Sequence, residues 1–196
     1  MSIYEKIQTL NTERLTLRRF IPSDAEDVLS FKTKDSSVIH RIDAVTTEVE
    51  AAAFVEKKAC LLVNRKGIAW AITIKDGTGC LGSIELTPLA GDDKAHIREI
   101  GVYIGIPFRG KGYAMEAITC VTASAFRVHD ALQRLHAEVH PRNAASIRTL
   151  ERCGFHQEGI LKSWNMREVG GLEVPVDLVV LALTRDSRPE HLSGQG

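Results

Sequence analysis

Residues 108–117 read FRGKGYAMEA and place Gly110 and Gly112 one residue apart, beside Arg109 and Lys111, where an apolar run ends and a helical pattern begins. Glycine costs a helix about 1 kcal/mol relative to alanine, so a pair at a helix entrance implies a backbone that must leave room for something. A strand feeding a helix through such a turn presents unpaired N–H groups at the positive end of the helix dipole, an arrangement that binds phosphate. A Cβ would hold phosphate oxygens away from those amides. Two familiar loops are excluded. A P-loop needs Ser or Thr after its lysine, and Gly112 follows Lys111. A dinucleotide fingerprint needs Gly or Ala where Met115 stands, and a parallel βαβ setting. Another phosphate-bearing ligand remains, or a softened helix start that binds nothing.

His136, Glu138 and His140 recur at period two and so share one face of a strand. Two histidines and a carboxylate suit zinc, but a polar cleft wall explains them equally, and no metal is expected. Cys60, Cys80, Cys120 and Cys153 are far apart and form no CxxC pair, which points to reduced thiols in the cytoplasm. Trp70 alternates with apolar neighbours and reads as core or cleft wall.

The elements that must position these residues follow from periodicity. LTLR at 15–18 is a first strand. Ser23 fits a helix N-cap with Glu26 completing a capping box. A second helix begins near Thr47, with Glu50 at the box position and Ala51, Phe54, Val55, Ala59 and Leu62 as its apolar stripe. GIAWAITIK and CLGSIELTPL are two strands joined by Asp76, Gly77, Thr78 and Gly79, a hairpin signal. HIREIGVYIGI is a fourth strand and runs into the glycines; a long helix follows from about residue 110 to 128, and LHAEVH is a fifth strand. Residues 143–153 read as a helix stopped by Gly154. Two last strands, near 158–167 and 174–183, flank Gly170 and Gly171. This is an α+β layer on a mostly antiparallel sheet, a single domain over residues 1–184 with a flexible tail at 185–196.

Twenty-five basic and 25 acidic residues cancel, so no global field draws the chain to nucleic acid or an anionic membrane. The start, MSIYEKIQTLNTERL, lacks the apolar core of a signal peptide. No run approaches the roughly 18 apolar residues a membrane helix needs.

RGKGYA at 109–114 resembles the Q/R-x-x-G-x-G/A signature of the GNAT acyltransferases. TERLTLR at 12–18 with Asp24 and Ala25, EIGVYIGIPFRGKGYAMEA, the N-x-x-S of Asn143 to Ser146, CGF at 153–155 and the pair Glu158-Gly159 resemble the RimJ/RimL-type branch, in order, from about residue 11 to 184. The resemblance implies the GNAT fold: a seven-stranded mixed sheet splayed between its fourth and fifth strands, about four helices, and acetyl-CoA in the cleft as cosubstrate. By that analogy the diphosphate rests on Gly110, Lys111, Gly112, Tyr113 and Ala114, with Arg109 beside it. The pantetheine pairs along Tyr103, Ile104 and Gly105 like an added strand, and Asn143 hydrogen-bonds it.

Acetyl transfer from a thioester to an amine needs an unprotonated amine, a donor to the carbonyl oxygen and a proton for the leaving thiolate. The resemblance makes Ser146 the general acid. Where ribosomal-protein members of the branch carry a glutamate, about ten residues after the GF pair, this chain has Asn165, which cannot take up a proton. The resemblance then points to Glu99, on the fourth strand, as base, with His140 available to a proton path. The expected function is N-acetylation of a primary amine, on a protein N-terminus or a small molecule, in the cytoplasm; homodimerisation is left open. The competing readings are a CoA-binding module without catalysis and a nucleotide-binding protein using the same loop.

Overall fold

The computed structural model describes residues 9–32, 45–63, 67–89, 96–169 and 172–187. Its strands are β1 (Leu10–Asn11), β2 (Leu15–Arg18), β3 (Ile68–Ile74), β4 (Cys80–Thr87), β5 (Ile97–Ile104), β6 (Arg134–Val139), β7 (His156–Val169) and β8 (Leu172–Thr184). Its helices are α1 (Asp24–Lys32), α2 (Glu48–Val63), α3 (Tyr113–Val128) and α4 (Ala144–Arg152), with a short 3-10 turn at Ile106–Phe108. The expected order of elements holds, with one strand more than the seven expected. β1 pairs Leu10 with Leu17 and Asn11 with Thr16, and two residues are too few to show an alternation.

The eight strands form one sheet in the order β1-β2-β3-β4-β5-β6-β8-β7. Every pairing is antiparallel except β5 with β6, which run parallel over only three pairs, from Ile97↔Arg134 to Glu99↔His136. Beyond Glu99, β5 stays with β4 as far as Ile104 while β6 continues along β8. The strands part there, between the fourth and fifth of the seven expected. One edge of residues 100–104 is left with no strand partner among the described residues.

Alternation along β3 builds the two layers. Ile68, Trp70 and Ile72 point into a cluster under α3 and α4, with Leu15, Leu17, Ile84, Leu86, Ile118, Phe126, Leu135 and Leu181. Ala69 and Ala71 point the other way, to Phe20, Val28, Phe31, Phe54 and Val55 beneath α1 and α2. Trp70 is fully buried and belongs to the core.

The helix starts are set by local bonds. At α2 the capping box forms: Glu50 accepts from the Thr46 and Thr47 amides, and Thr47 Oγ1 accepts from the Glu50 amide. At α1 the carboxylate that reaches back is Asp24, to the Ile21 amide, rather than Glu26; Arg18 holds it in a two-pronged ion pair. α3 begins at Tyr113 and not near residue 110, because Gly110 and Gly112 adopt left-handed φ of 76° and 82°.

At the C-terminus, Arg185 was expected in the tail but is tied to the body. It donates to the carbonyls of Phe126, His129 and Leu132 and lies over the Phe126 ring. The remaining tail, 188–196, and the Gly170-Gly171 turn fall outside the described residues. Among those described, no helix is long and apolar enough to cross a membrane.

Candidate active site

The glycine loop joins the end of β5, beyond its last pairing with β6, to the start of α3. Gly105 donates to the Leu81 carbonyl, and a Cβ there would lie 2.8 Å from that of Phe31, so only glycine passes. Tyr103 packs on the Phe31 ring at 5.5 Å and donates its hydroxyl to the Phe31 carbonyl. Arg109 folds back, giving Nε to the Ile104 carbonyl at 2.8 Å, with its guanidinium 5.6 Å from the Tyr103 ring centre. Lys111 Nζ lies 5.8 Å from the Phe108 ring centre. A Cβ at Gly110 would meet nothing within 4 Å. The two left-handed glycines, the amides of the first turn of α3 and the exposed Arg109 and Lys111 make a cradle of the kind a diphosphate fits.

Sequence reasoning missed three residues at this loop. Glu116, in the first turn of α3, accepts from the Thr12 hydroxyl at 2.5 Å, the Arg14 amide at 2.9 Å and Arg14 Nε at 2.7 Å. Arg14 Nη2 lies 2.6 Å from the same carboxylate. Arg14 Nη1 donates to the Lys111 carbonyl at 3.0 Å, and the guanidinium lies 5.0 Å from the Tyr113 ring centre. A Cβ on Gly112 would approach Arg14 Nη2 to 3.3 Å. Burial works against the ionisation of Glu116, but the Thr12 hydroxyl and the Arg14 amide and guanidinium outweigh it and hold its pKa below the ordinary glutamate value. Its contribution is therefore complete at neutral pH and is lost only as pH falls through that lowered pKa. The one sequence signal was the TERL run itself, and nothing local ties it to Glu116.

On the β6 side of the cleft, Asn143 caps α4 by accepting from the Ser146 amide at 3.1 Å. The cap uses the Asn143 carbonyl oxygen and leaves its NH2 group for another acceptor. The Ser146 hydroxyl has no partner among the described residues. Glu99 and His136 are cross-strand partners in the last parallel pair, so their side chains leave one face of the sheet where the strands part. His136 Nε2 is 3.3 Å from Glu138 Oε1. His140 accepts from the Arg142 amide. Among the described residues, no three of His, Cys, Asp or Glu group to hold a metal. The four cysteines are free; burial pushes Cys80 up to about 12 and raises Cys120 and Cys153, so these three stay protonated near neutrality.

Asn165 lies on the edge strand β7, opposite Val176, beyond register shifts at 157/159 and 161/165. Ser163 in the second shift has a φ of 51°, and Asp177 accepts from both its amide and Lys162. Residues counted from Gly154 and Phe155 therefore do not map evenly onto the sheet.

A family model described as an acetyltransferase (GNAT) domain matches residues 14–156. The chain is 30% identical over 156 residues to the N-acetyltransferase YoaA of Bacillus subtilis (strain 168), covering 79% of this chain and 86% of that one. Its fold is similar to a GNAT-family acetyltransferase from Bacillus anthracis, with a TM-score of 0.76, 25% identity and coverage of 91% and 99%. It is also similar to Mycobacterium smegmatis RimJ, solved with CoA-disulfide, with a TM-score of 0.73, 21% identity and coverage of 89% and 84%.

Proposed function

The chain belongs to the GNAT family of acetyltransferases, and from that premise we propose that it acetylates an α-amine, on a peptide N-terminus or an amino-acid-like small molecule. Family membership makes it an acetyl-transfer enzyme that uses acetyl-CoA, and the readings of a nucleotide site and of a binding-only module give way. The observation that carries the site assignment is the loop of left-handed glycines between the end of β5, where it has parted from β6, and the start of α3. In this reading the amides of Gly110, Lys111, Gly112, Tyr113 and Ala114 hold the diphosphate, with Arg109 at the rim. The pantetheine runs along the backbone of Tyr103, Ile104 and Gly105, where the Gly105 N–H already donates to Leu81 and the Ile104 carbonyl already accepts from Arg109, and the Asn143 NH2 group donates to it.

The remaining side chains move protons. The Ser146 hydroxyl gives its proton to the thiolate as the C–S bond breaks and the C–N bond forms. Glu99 takes a proton from the amine, directly or through water, and His136 beside it offers a relay. With asparagine at 165 the base is a single half-buried carboxylate, and this favours an acceptor that needs little help. An α-amine with a pKa near 7.7–8.0 is about one-tenth neutral at pH 7, whereas a lysine near 10.4 is neutral in about 0.04% of molecules. The lysine's handicap is roughly 250-fold, or about 3 kcal/mol.

Two peptides, one with a free N-terminus and no lysine, the other N-blocked with a single lysine, are to be compared from pH 6.5 to 9. The free N-terminus should react faster at pH 7, and the gap should narrow as pH rises. Faster acetylation of the blocked lysine peptide at pH 7 would sink the assignment.

Free thiols at all four cysteines suit a reducing compartment, and we assign the protein to the cytoplasm. The β7–β8 hairpin exposes Trp164 (58%), Met166 (55%), Leu172 (70%) and Val174 (42%), an apolar surface of the kind that marks an interface. We assign it to a homodimer. Sedimentation should give a dimer that Trp164→Glu weakens; a monomeric parent at tens of micromolar would end this reading.

A further inference from the structure

We propose that Arg14 is a positioning residue for acetyl-CoA, aiming the diphosphate-binding loop from the turn between β1 and β2. The inference rests on the reading of residues 110–114 as the diphosphate site. Arg14 is held from one side by the carboxylate of Glu116, which takes Nε at 2.7 Å and Nη2 at 2.6 Å. Both nitrogens converge on the one oxygen Oε2, a charge-assisted contact that holds that edge of the guanidinium in place. Thr12 and the Arg14 amide bond the other carboxylate oxygen, so the whole turn is locked to the first turn of α3.

From that fixed point the guanidinium reaches the loop in three places. Nη1 donates to the Lys111 carbonyl at 3.0 Å, Nη2 lies 3.3 Å from where a Gly112 Cβ would stand, and the guanidinium lies 5.0 Å from the Tyr113 ring centre. The first contact has a directional consequence. In a trans peptide the carbonyl of one residue and the N–H of the next point opposite ways, and the chain has no cis peptide bond. Drawing the Lys111 carbonyl towards Arg14 therefore turns the Gly112 N–H away from Arg14, available to an anion. Without Arg14 that peptide is free to rotate and to present its carbonyl to the phosphate instead. The Arg14 side chain is 47% exposed against 16% for Glu116, so the cation sits at the surface of the loop with its carboxylate behind it. Arg14 thus selects acyl donors that carry a diphosphate.

The test compares two acetyl donors, acetyl-CoA and S-acetylpantetheine, which lacks the diphosphate, in the parent, Arg14→Ala and Arg14→Lys. Arg14→Ala should raise KM for acetyl-CoA about tenfold to a hundredfold, one or two of the 1.4 kcal/mol steps of affinity, with kcat within about threefold. Its kcat/KM for S-acetylpantetheine should stay within about twofold of the parent. Arg14→Lys keeps the charge but cannot grip Glu116 with a fork and reach the Lys111 carbonyl together, so most of the KM increase should persist. It carries the same comparison if Arg14→Ala does not fold. An unchanged KM for acetyl-CoA in a folded Arg14 variant, equal losses with both donors, or full rescue by lysine would each overturn the proposal. A parent that uses S-acetylpantetheine as well as acetyl-CoA would instead overturn the diphosphate site itself, and this inference with it.

Discussion

Gly112→Val should give a folded protein whose thermal midpoint no longer responds to acetyl-CoA. The parent, at a ligand concentration 100 times Kd, should gain about 2.7 kcal/mol, which raises the midpoint of a domain this size by roughly 5–10 °C. Valine fails at position 112 for two reasons. Its φ would have to be 82°, a left-handed conformation that costs a β-branched residue on the order of 1–3 kcal/mol. Its Cβ would also stand 3.3 Å from Arg14 Nη2, and the two methyl groups beyond would push the guanidinium off the Lys111 carbonyl. Both costs are local and smaller than the roughly 5–15 kcal/mol that holds a domain together, so the sheet and core survive. Scanning calorimetry with and without acetyl-CoA reads the outcome. A variant that shifts as the parent does would show that the diphosphate rests elsewhere.

Ser146→Ala should lower kcat about a hundredfold while leaving KM for acetyl-CoA and the thermal midpoint nearly unchanged. General-acid help is worth about 10²–10⁴-fold, and a thiolate is a fair leaving group, which places the effect at the lower end. The substitution is structurally mild because the α4 cap uses the Ser146 amide and not its hydroxyl. Alanine keeps that amide, so stability should stay within about 0.5 kcal/mol. Asn143 would be a poorer probe, since it is itself the cap and its loss costs about 1 kcal/mol. Steady-state kinetics with a saturating amine decide the matter. An unchanged kcat removes Ser146 from the chemistry and leaves it a helix residue.

What could be read before folding was what depends on neighbours in sequence. The capping box of Thr47 and Glu50 spans three residues, and it forms as read. Trp70, read as core or cleft wall from its apolar strand neighbours, is fully buried in the core. Boundaries were less legible where two conformations compete locally. Glycines at 110 and 112 are compatible with a helix start as well as with the left-handed turns they adopt, and this displaced the predicted start of α3 by three residues. In β7 the register shifts at 157/159 and 161/165 are features of its pairing with β8, and within the second Asp177 accepts from the Ser163 amide. No count along β7 alone could anticipate them.

The sequence by itself determined the class of fold, the order of its elements and the glycine loop between strand and helix, because hydrophobic period, caps and turn residues act over a few positions. Only the tertiary structure decided where β5 and β6 part, since that depends on β6 finding β8 while β5 keeps β4. It alone brought Glu99 beside His136. It alone joined Arg14 to Glu116, 102 residues away in the chain. A contact of that span leaves no periodic trace in the sequence. An exposed-looking arginine and a glutamate early in a helix read as two solvated charges until the sheet closes and sets one against the other.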